Sequence, residues 1–194
     1  MTEPVNAYVV MRTEGLCVVL DLTAGRLPAI LHWGADLGRL SGDDVAALAL
    51  AGVPPIAINN VDEPVRVAVL PEHHTGWVGR PGLSGSRSGR DWSPRFTTTS
   101  LRVDDVAVAA SAEQPALVTT ATAVVEVTAT DDLAGLGLTL EIELTAGGLL
   151  RSRAGLTNTG TDDYQLDDLL LAYPVPPVAS ELLDFAGRWG KERF

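Results

Sequence analysis

Leu136-Gly137-Leu138-Thr139-Leu140-Glu141-Ile142-Glu143-Leu144 alternates aliphatic with small or acidic residues for nine positions without a break. A strand sends successive side chains to opposite faces, so this stretch predicts a sheet with one buried and one wet face. Moving outward, Gly147-Gly148 predicts a turn into a strand over 149–157. Asn158-Thr159-Gly160 and Asp162-Asp163 mark the next turn, before a strand over 164–173. On the other side, residues 96–110 and 116–129 are rich in Thr and Val, which suit a pleated surface. Turns recurring about every ten to fourteen residues predict an all-β, antiparallel β-sandwich.

The N-terminal part adds short strands at Cys17-Val18-Val19-Leu20-Asp21-Leu22 and Ala29-Ile30-Leu31-His32-Trp33-Gly34, separated by a turn through Gly25. Residues 41–52 predict a helix of about two turns, capped by Ser41 or Asp43 and stopped by Gly52 and Pro54-Pro55. Residues 56–70 return to an extended pattern, with Val65, Val67 and Val69 alternating against Arg66 and Ala68. After residue 174 the prolines bar further sheet, residues 180–183 suit a brief helical turn, and residues 185–193 are aromatic and charged.

Between these elements, residues 70–101 form a Gly-, Pro- and Ser-rich stretch that holds two Trp, four Arg and two His. Long loops of this kind in compact domains are functional or disordered, and the Trp residues argue against disorder. An indole face packs on the C–H face of a sugar while guanidinium groups donate to its hydroxyls, so the loop suits a hydroxylated ligand. A surface loop pinned by its Trp residues, with solvated Arg80, Arg87, Arg90 and Arg95, fits the same composition.

The 194 residues suffice for one sizeable domain, and the net charge of −11 disfavours nucleic acid, whose backbone requires a basic face. Cys17 is the single cysteine, which points to a reducing, cytoplasmic setting, and no signal peptide or membrane span is read from the sequence. No metal or cofactor is expected. His73 and His74 are adjacent and far in sequence from Cys17 and His32, a spacing unsuited to zinc. His32 reads as a semi-buried, hydrogen-bonded residue. Residues 82–89 imitate a phosphate loop but lack its GK[ST] ending and a following helix. The pairs Asp104-Asp105, Asp131-Asp132, Asp162-Asp163 and Asp167-Asp168 read as turn and solubility residues.

The succession Leu31-His32-Trp33-Gly34, Gly79-Arg80-Pro81-Gly82, Arg90-Asp91-Trp92-Ser93-Pro94, Asn158-Thr159-Gly160 and Leu169-Leu170-Leu171-Ala172-Tyr173-Pro174-Val175-Pro176 recurs in order along a known family. With Phe185-Ala186-Gly187-Arg188-Trp189-Gly190-Lys191-Glu192-Arg193 closing it, the chain resembles the N-terminal domain of the alpha-galactosidases of glycoside hydrolase family 36. The resemblance implies a β-supersandwich akin to galactose mutarotase over residues 1–194, incomplete at its C-terminal end, with one or two short helices. It also implies a separate catalytic barrel whose two Asp residues perform a retaining hydrolysis, so this chain alone is expected to be inactive.

In that family a loop of this domain helps line the sugar pocket, offering an acidic residue and a Trp. Carried onto residues 71–95, the resemblance implies substrate-binding roles for Trp92 and Trp77, with Arg80 and Arg90 as polar supports. Trp77-Val78-Gly79-Arg80 replaces the commoner Gly-Asp-x-Arg pattern, which leaves Asp91 as the nearby carboxylate. The implied partners are alpha-galactosides, the barrel of the same polypeptide and further copies in a homo-oligomer. Two other functions fit the residues: a free-standing carbohydrate-binding β-sandwich, and a mutarotase-like aldose epimerase working through His and a carboxylate.

Overall fold

The structure, a computed structural model, describes residues 4–56, 58, 64, 66–109, 114–175 and 179–181. Eleven strands are assigned among the described residues: β1 (Ala7–Thr13), β2 (Leu16–Leu22), β3 (Ala29–Ala35), β4 (Leu83–Ser86), β5 (Thr97–Val103), β6 (Val106–Ala107), β7 (Ala116–Thr120), β8 (Ala123–Asp131), β9 (Leu136–Leu144), β10 (Leu150–Asn158) and β11 (Gln165–Leu169). They form a four-stranded sheet ordered β3-β2-β1-β7, a five-stranded sheet ordered β10-β9-β8-β5-β6, and the pair β11-β4. The fold is a β-sandwich with one α-helix, α1 (Gly42–Ala51).

The alternating stretch is β9, central between β8 and β10 in an antiparallel meander. Its Leu136, Leu138, Leu140, Ile142 and Leu144 are all buried, facing Val125, Val127 and Ala129 of β8 on the same inner surface. Val9, Met11, Val18 and Leu20 of the other sheet belong to the same core cluster. On the wet face, Arg151 of β10 meets Glu143 at 2.5 Å and Arg153 meets Glu141 at 3.6 Å, the cross-strand pairs expected of directly opposed residues.

Both faces of the smaller sheet are covered. Tyr8, Val10, Cys17 and Val19 point away from the sandwich core and are buried by Val45 and Ala49 of α1. The helix runs ten residues from Gly42 because Ser41, rather than Asp43, is its N-cap, with Asp44 completing the cap. The Asp44 amide donates to Ser41 Oγ at 3.2 Å, and the Asp44 carboxylate accepts from the Ser41 amide at 2.8 Å. This reciprocal arrangement satisfies donors that the first turn leaves open.

Three expectations about strands need correction. Residues 116–129 are two strands in different sheets, and β7 pairs β1 in parallel, so the smaller sheet is mixed rather than antiparallel. The described residues of 56–70 form no strand, although Val69 donates to Pro28 O at 2.7 Å and accepts from the Ala172 amide at 2.8 Å; Val65 lies outside the described residues. The long loop contains β4, whose partner β11 lies some eighty residues onward, beyond the reach of any local pattern. Within 180–183, Ser180 and Glu181 carry no helix assignment, and the rest, with residues 185–193, lies outside the described residues.

Replacing Leu140 by Ala is expected to destabilise the chain by about 2–5 kcal/mol through lost burial and a residual cavity. Glu141→Ala, on the wet face, is expected to stay within about 0.5 kcal/mol. Equal urea midpoints for the two variants would contradict the assigned faces. The cap gives a second prediction, because hydrogen bonds from Ser41 hold the Asp44 carboxyl below its ordinary range. Its stabilising contribution is fully present above the unfolded carboxyl pKa of about 3.9 and is lost as pH falls through the lower folded value. Asp44→Asn should flatten that part of the acid limb in urea titrations run from neutral to acid pH.

Candidate functional site

The loop is not held by its tryptophans alone. Arg87 follows β4 and is 7% exposed, which corrects its expected place among solvated loop arginines. Its Nη2 donates to Ala134 O at 2.9 Å and Asn158 Oδ1 at 2.9 Å, while Nη1 donates to Asp162 O. Asp91 supplies a counter-charge 3.4 Å from Nε, and the guanidinium lies 5.7 Å from the centroid of the Tyr164 ring. A buried guanidinium is tolerated only where its donors are met. Here they are met mainly by main-chain carbonyls of the β8–β9 and β10–β11 turns.

Close backbone approach makes this arrangement possible. A Cβ on Gly160 would meet Arg87 Nη2 at 2.8 Å, so a side chain at that turn would displace the guanidinium. Beyond Arg87 the chain turns tightly through Ser88 and Gly89, both at positive φ, and Arg87 and Arg90 exchange main-chain hydrogen bonds at 2.8 and 3.1 Å. The imitation phosphate loop is therefore a strand and a two-residue hairpin.

This hairpin delivers the residues singled out by the sequence to different environments. Trp92 is 59% exposed and sets its ring edge-on to His73, with centroids 5.5 Å apart. Trp77 is half-buried and lies over its own loop: Nε1 donates to Arg80 O at 2.9 Å. A Cβ on Gly79 would come within 2.5 Å of that indole, so glycine there is what lets the ring lie down. Arg80 extends to Asp168 of β11, which places Asp168 in a strand rather than a turn. Arg90 is exposed on the hairpin. The Asp91 carboxylate is engaged by Arg87, and its carbonyl accepts from Tyr164 OH at 3.3 Å. Burial raises the Tyr164 phenol pKa, and the Asp91 charge adds to the effect, so Tyr164 stays a neutral donor.

The two histidines part company. They sit in a single 3-10 turn, His73–Thr75, with His73 against Trp92 and His74 Nε2 3.1 Å from Glu72 Oε1. Glu72 is buried and also accepts from the Phe96 amide at 3.0 Å, tying the start of the loop to its end. Beside this junction opens a cleft of about 720 Å³, lined by Asp21, Arg26, Arg66, Glu72, His74 and Arg95 among others. The sequence carries no signal for this cleft, because its walls come from three separated segments. His32 Nε2 lies 2.9 Å from Ala35 O, a local contact as anticipated.

A family model described as the glycosyl hydrolase family 36 N-terminal domain matches residues 26–194. The chain is the N-terminal domain of a family 36 member. An alpha-galactosidase of Escherichia coli is 31% identical over 163 residues, covering 84% of this chain and 20% of that protein. This domain thus spans about a fifth of that curated relative. Crystal structures of the family 36 alpha-galactosidase AgaA from Geobacillus stearothermophilus, with 1-deoxygalactonojirimycin and with raffinose, superpose with a TM-score of 0.61 at 14% identity. Each comparison covers 84% of this chain and 23% of that one, and AgaB from the same organism gives 0.56 at 16% identity. These structures share the fold.

In the family 36 domain, removing the Arg87 guanidinium leaves several turn carbonyls without their donor. Arg87→Ala is expected to cost about 2 kcal/mol or more, and hydrogen exchange at residues 84–92 should accelerate more than at β9. Uniform acceleration across both segments would show that Arg87 does not specifically hold the loop.

Proposed function

We propose that this domain is the accessory N-terminal part of a retaining alpha-galactosidase, supporting a catalytic barrel and lending loop residues to the sugar pocket. The supporting observation is Trp92, a large aromatic held exposed at the end of a hairpin whose base is clamped by a buried arginine. An exposed, preorganised indole is a costly feature on a monomeric surface and suits stacking on a pyranose. Arg90 and Arg80 stand on the same loop as hydrogen-bond donors for sugar hydroxyls, and Trp77 stiffens the segment leading into Arg80. Bond cleavage belongs to two carboxylates of the barrel, acting as nucleophile and as acid and base.

The same reading places the protein in the cytoplasm, supported by a lone, buried Cys17 whose thiol pKa is raised by burial. Among the described residues, no helix is long and apolar enough to cross a membrane. We also propose association into homo-oligomers through surface that this domain leaves open.

A free-standing sugar-binding module would place the whole site on this loop. A mutarotase-like reaction would need a carboxylate and an imidazole both free to exchange protons with a sugar. The Glu72 carboxylate, the partner of His74, already accepts from the Phe96 amide, which weighs against that reading.

In the full-length enzyme, Trp92→Ala is expected to lower kcat/KM for raffinose about tenfold, on the scale of about 1–2 kcal/mol for a lost aromatic contact. This chain alone should show no release of galactose. An unchanged kcat/KM in Trp92→Ala would remove the loop from the pocket, while galactose release by the isolated chain would overturn the accessory role.

A further inference from the structure

The cleft at the base of the loop gathers positive charge in a chain whose net charge is −11. Its two carboxylates are already committed. Asp21 accepts from the Thr23 amide at 2.9 Å and Thr23 Oγ1 at 2.7 Å, and is ion-paired with Arg66. Glu72 accepts from the Phe96 amide at 3.0 Å and faces His74 at 3.1 Å.

The cations are not matched in the same way. Among the described residues, the Arg26 and Arg95 guanidinium groups have no acceptor; the contacts of these two residues are made by their main-chain amides, Arg26 with Thr23 O and Arg95 with Asp131 Oδ2. Arg66 keeps one guanidinium nitrogen on Asp21, but its Nε is buried with no partner. A buried donor without an acceptor costs free energy unless something else supplies one. Arg26 and Arg95 therefore line one hollow with unused donors, Arg66 lines it beside them, and its volume of about 720 Å³ exceeds what a bare ion needs.

We propose that this cleft binds a small molecule carrying an oxyanion, a phosphate ester or a carboxylate, which Arg26, Arg66 and Arg95 hold through charge-assisted hydrogen bonds. The planar guanidinium fork matches both anions, which is why arginine recurs where they are recognised. The site does not include Trp92 and does not rest on the alpha-galactosidase reading. Occupancy would bring a ligand beside His74 and Arg95, near the two ends of the loop that Glu72 ties together.

The test titrates the full chain at low ionic strength with inorganic phosphate and, separately, with citrate, following heat by calorimetry. Saturable one-to-one binding of either anion is expected, weakened about tenfold or more in Arg26→Ala and in Arg95→Ala. Both side chains are exposed, so circular dichroism should show both variants folded. Arg90→Ala serves as the control, since Arg90 lies on the exposed hairpin and does not line the cleft. Phosphate alone saturating would assign the site to phosphate esters, and citrate alone to carboxylates. Failure of both anions to saturate, or equal weakening by Arg90→Ala, would overturn the proposal by reducing it to diffuse surface charge.

Discussion

One constraint governs this domain: the inner face of β9 can be buried in only one register. A slip of one residue would turn Leu138, Leu140 and Ile142 to water and bring Glu141 and Glu143 into the core, a change far beyond the stability of a domain this size. That register fixes the positions of the turns at both ends of the meander. The carbonyls of Ala134 and Asp162, at the β8–β9 and β10–β11 turns, are therefore placed by the core and not by the loop. Arg87 reads those carbonyls, so the hydrophobic alternation of one strand sets the position of a polar loop far from it in sequence.

Desolvating a guanidinium is unfavourable, and in this domain the offsetting groups are mostly neutral. Main-chain carbonyls accept from Nη1 and Nη2, Asp91 supplies a carboxylate near Nε, and the Tyr164 ring presents its face to the cation. Neutral acceptors held by a rigid sheet need no reorganisation, unlike a flexible carboxylate brought in from solvent. Lysine at this position would place a single ammonium where several acceptors diverge, and could not reach them all. The arrangement makes the hairpin an extension of the sandwich, with Trp92 just beyond it in the chain.

How much of this is legible in the sequence depends on the range of the interaction. The alternation of β9 and the Ser41 cap are local patterns of two to four residues, and the structure contains both. The pairing of β4 with β11 is invisible because Leu83 and Leu169 are distant in the chain and neither segment has a strong period. Parallel pairing of β7 with β1 likewise leaves no mark on either strand. Arg87 is the most instructive case. Its sequence neighbours are Ser and Gly, which suggest solvent, while its acceptors are mostly main-chain oxygens, which carry no residue-type signature. Trp77 and Trp92 read alike by composition, yet Gly79 lets Trp77 fold onto its own backbone, while Trp92 stays outward.

The distribution of acidic groups follows from the same economy. With an excess of carboxylates over cations, several Asp residues serve the backbone: Asp131 accepts from the Leu133, Ala134 and Arg95 amides, and Asp104 from the Val124 amide. Glu72 does this at the most consequential point, since the Phe96 amide it holds lies where the loop re-enters the larger sheet. His74 shares that carboxylate, so the first and last residues of the loop respond to one charge. A loop closed in this way at its base, and by Arg87 near its tip, has little main-chain conformational entropy left to lose on further ordering.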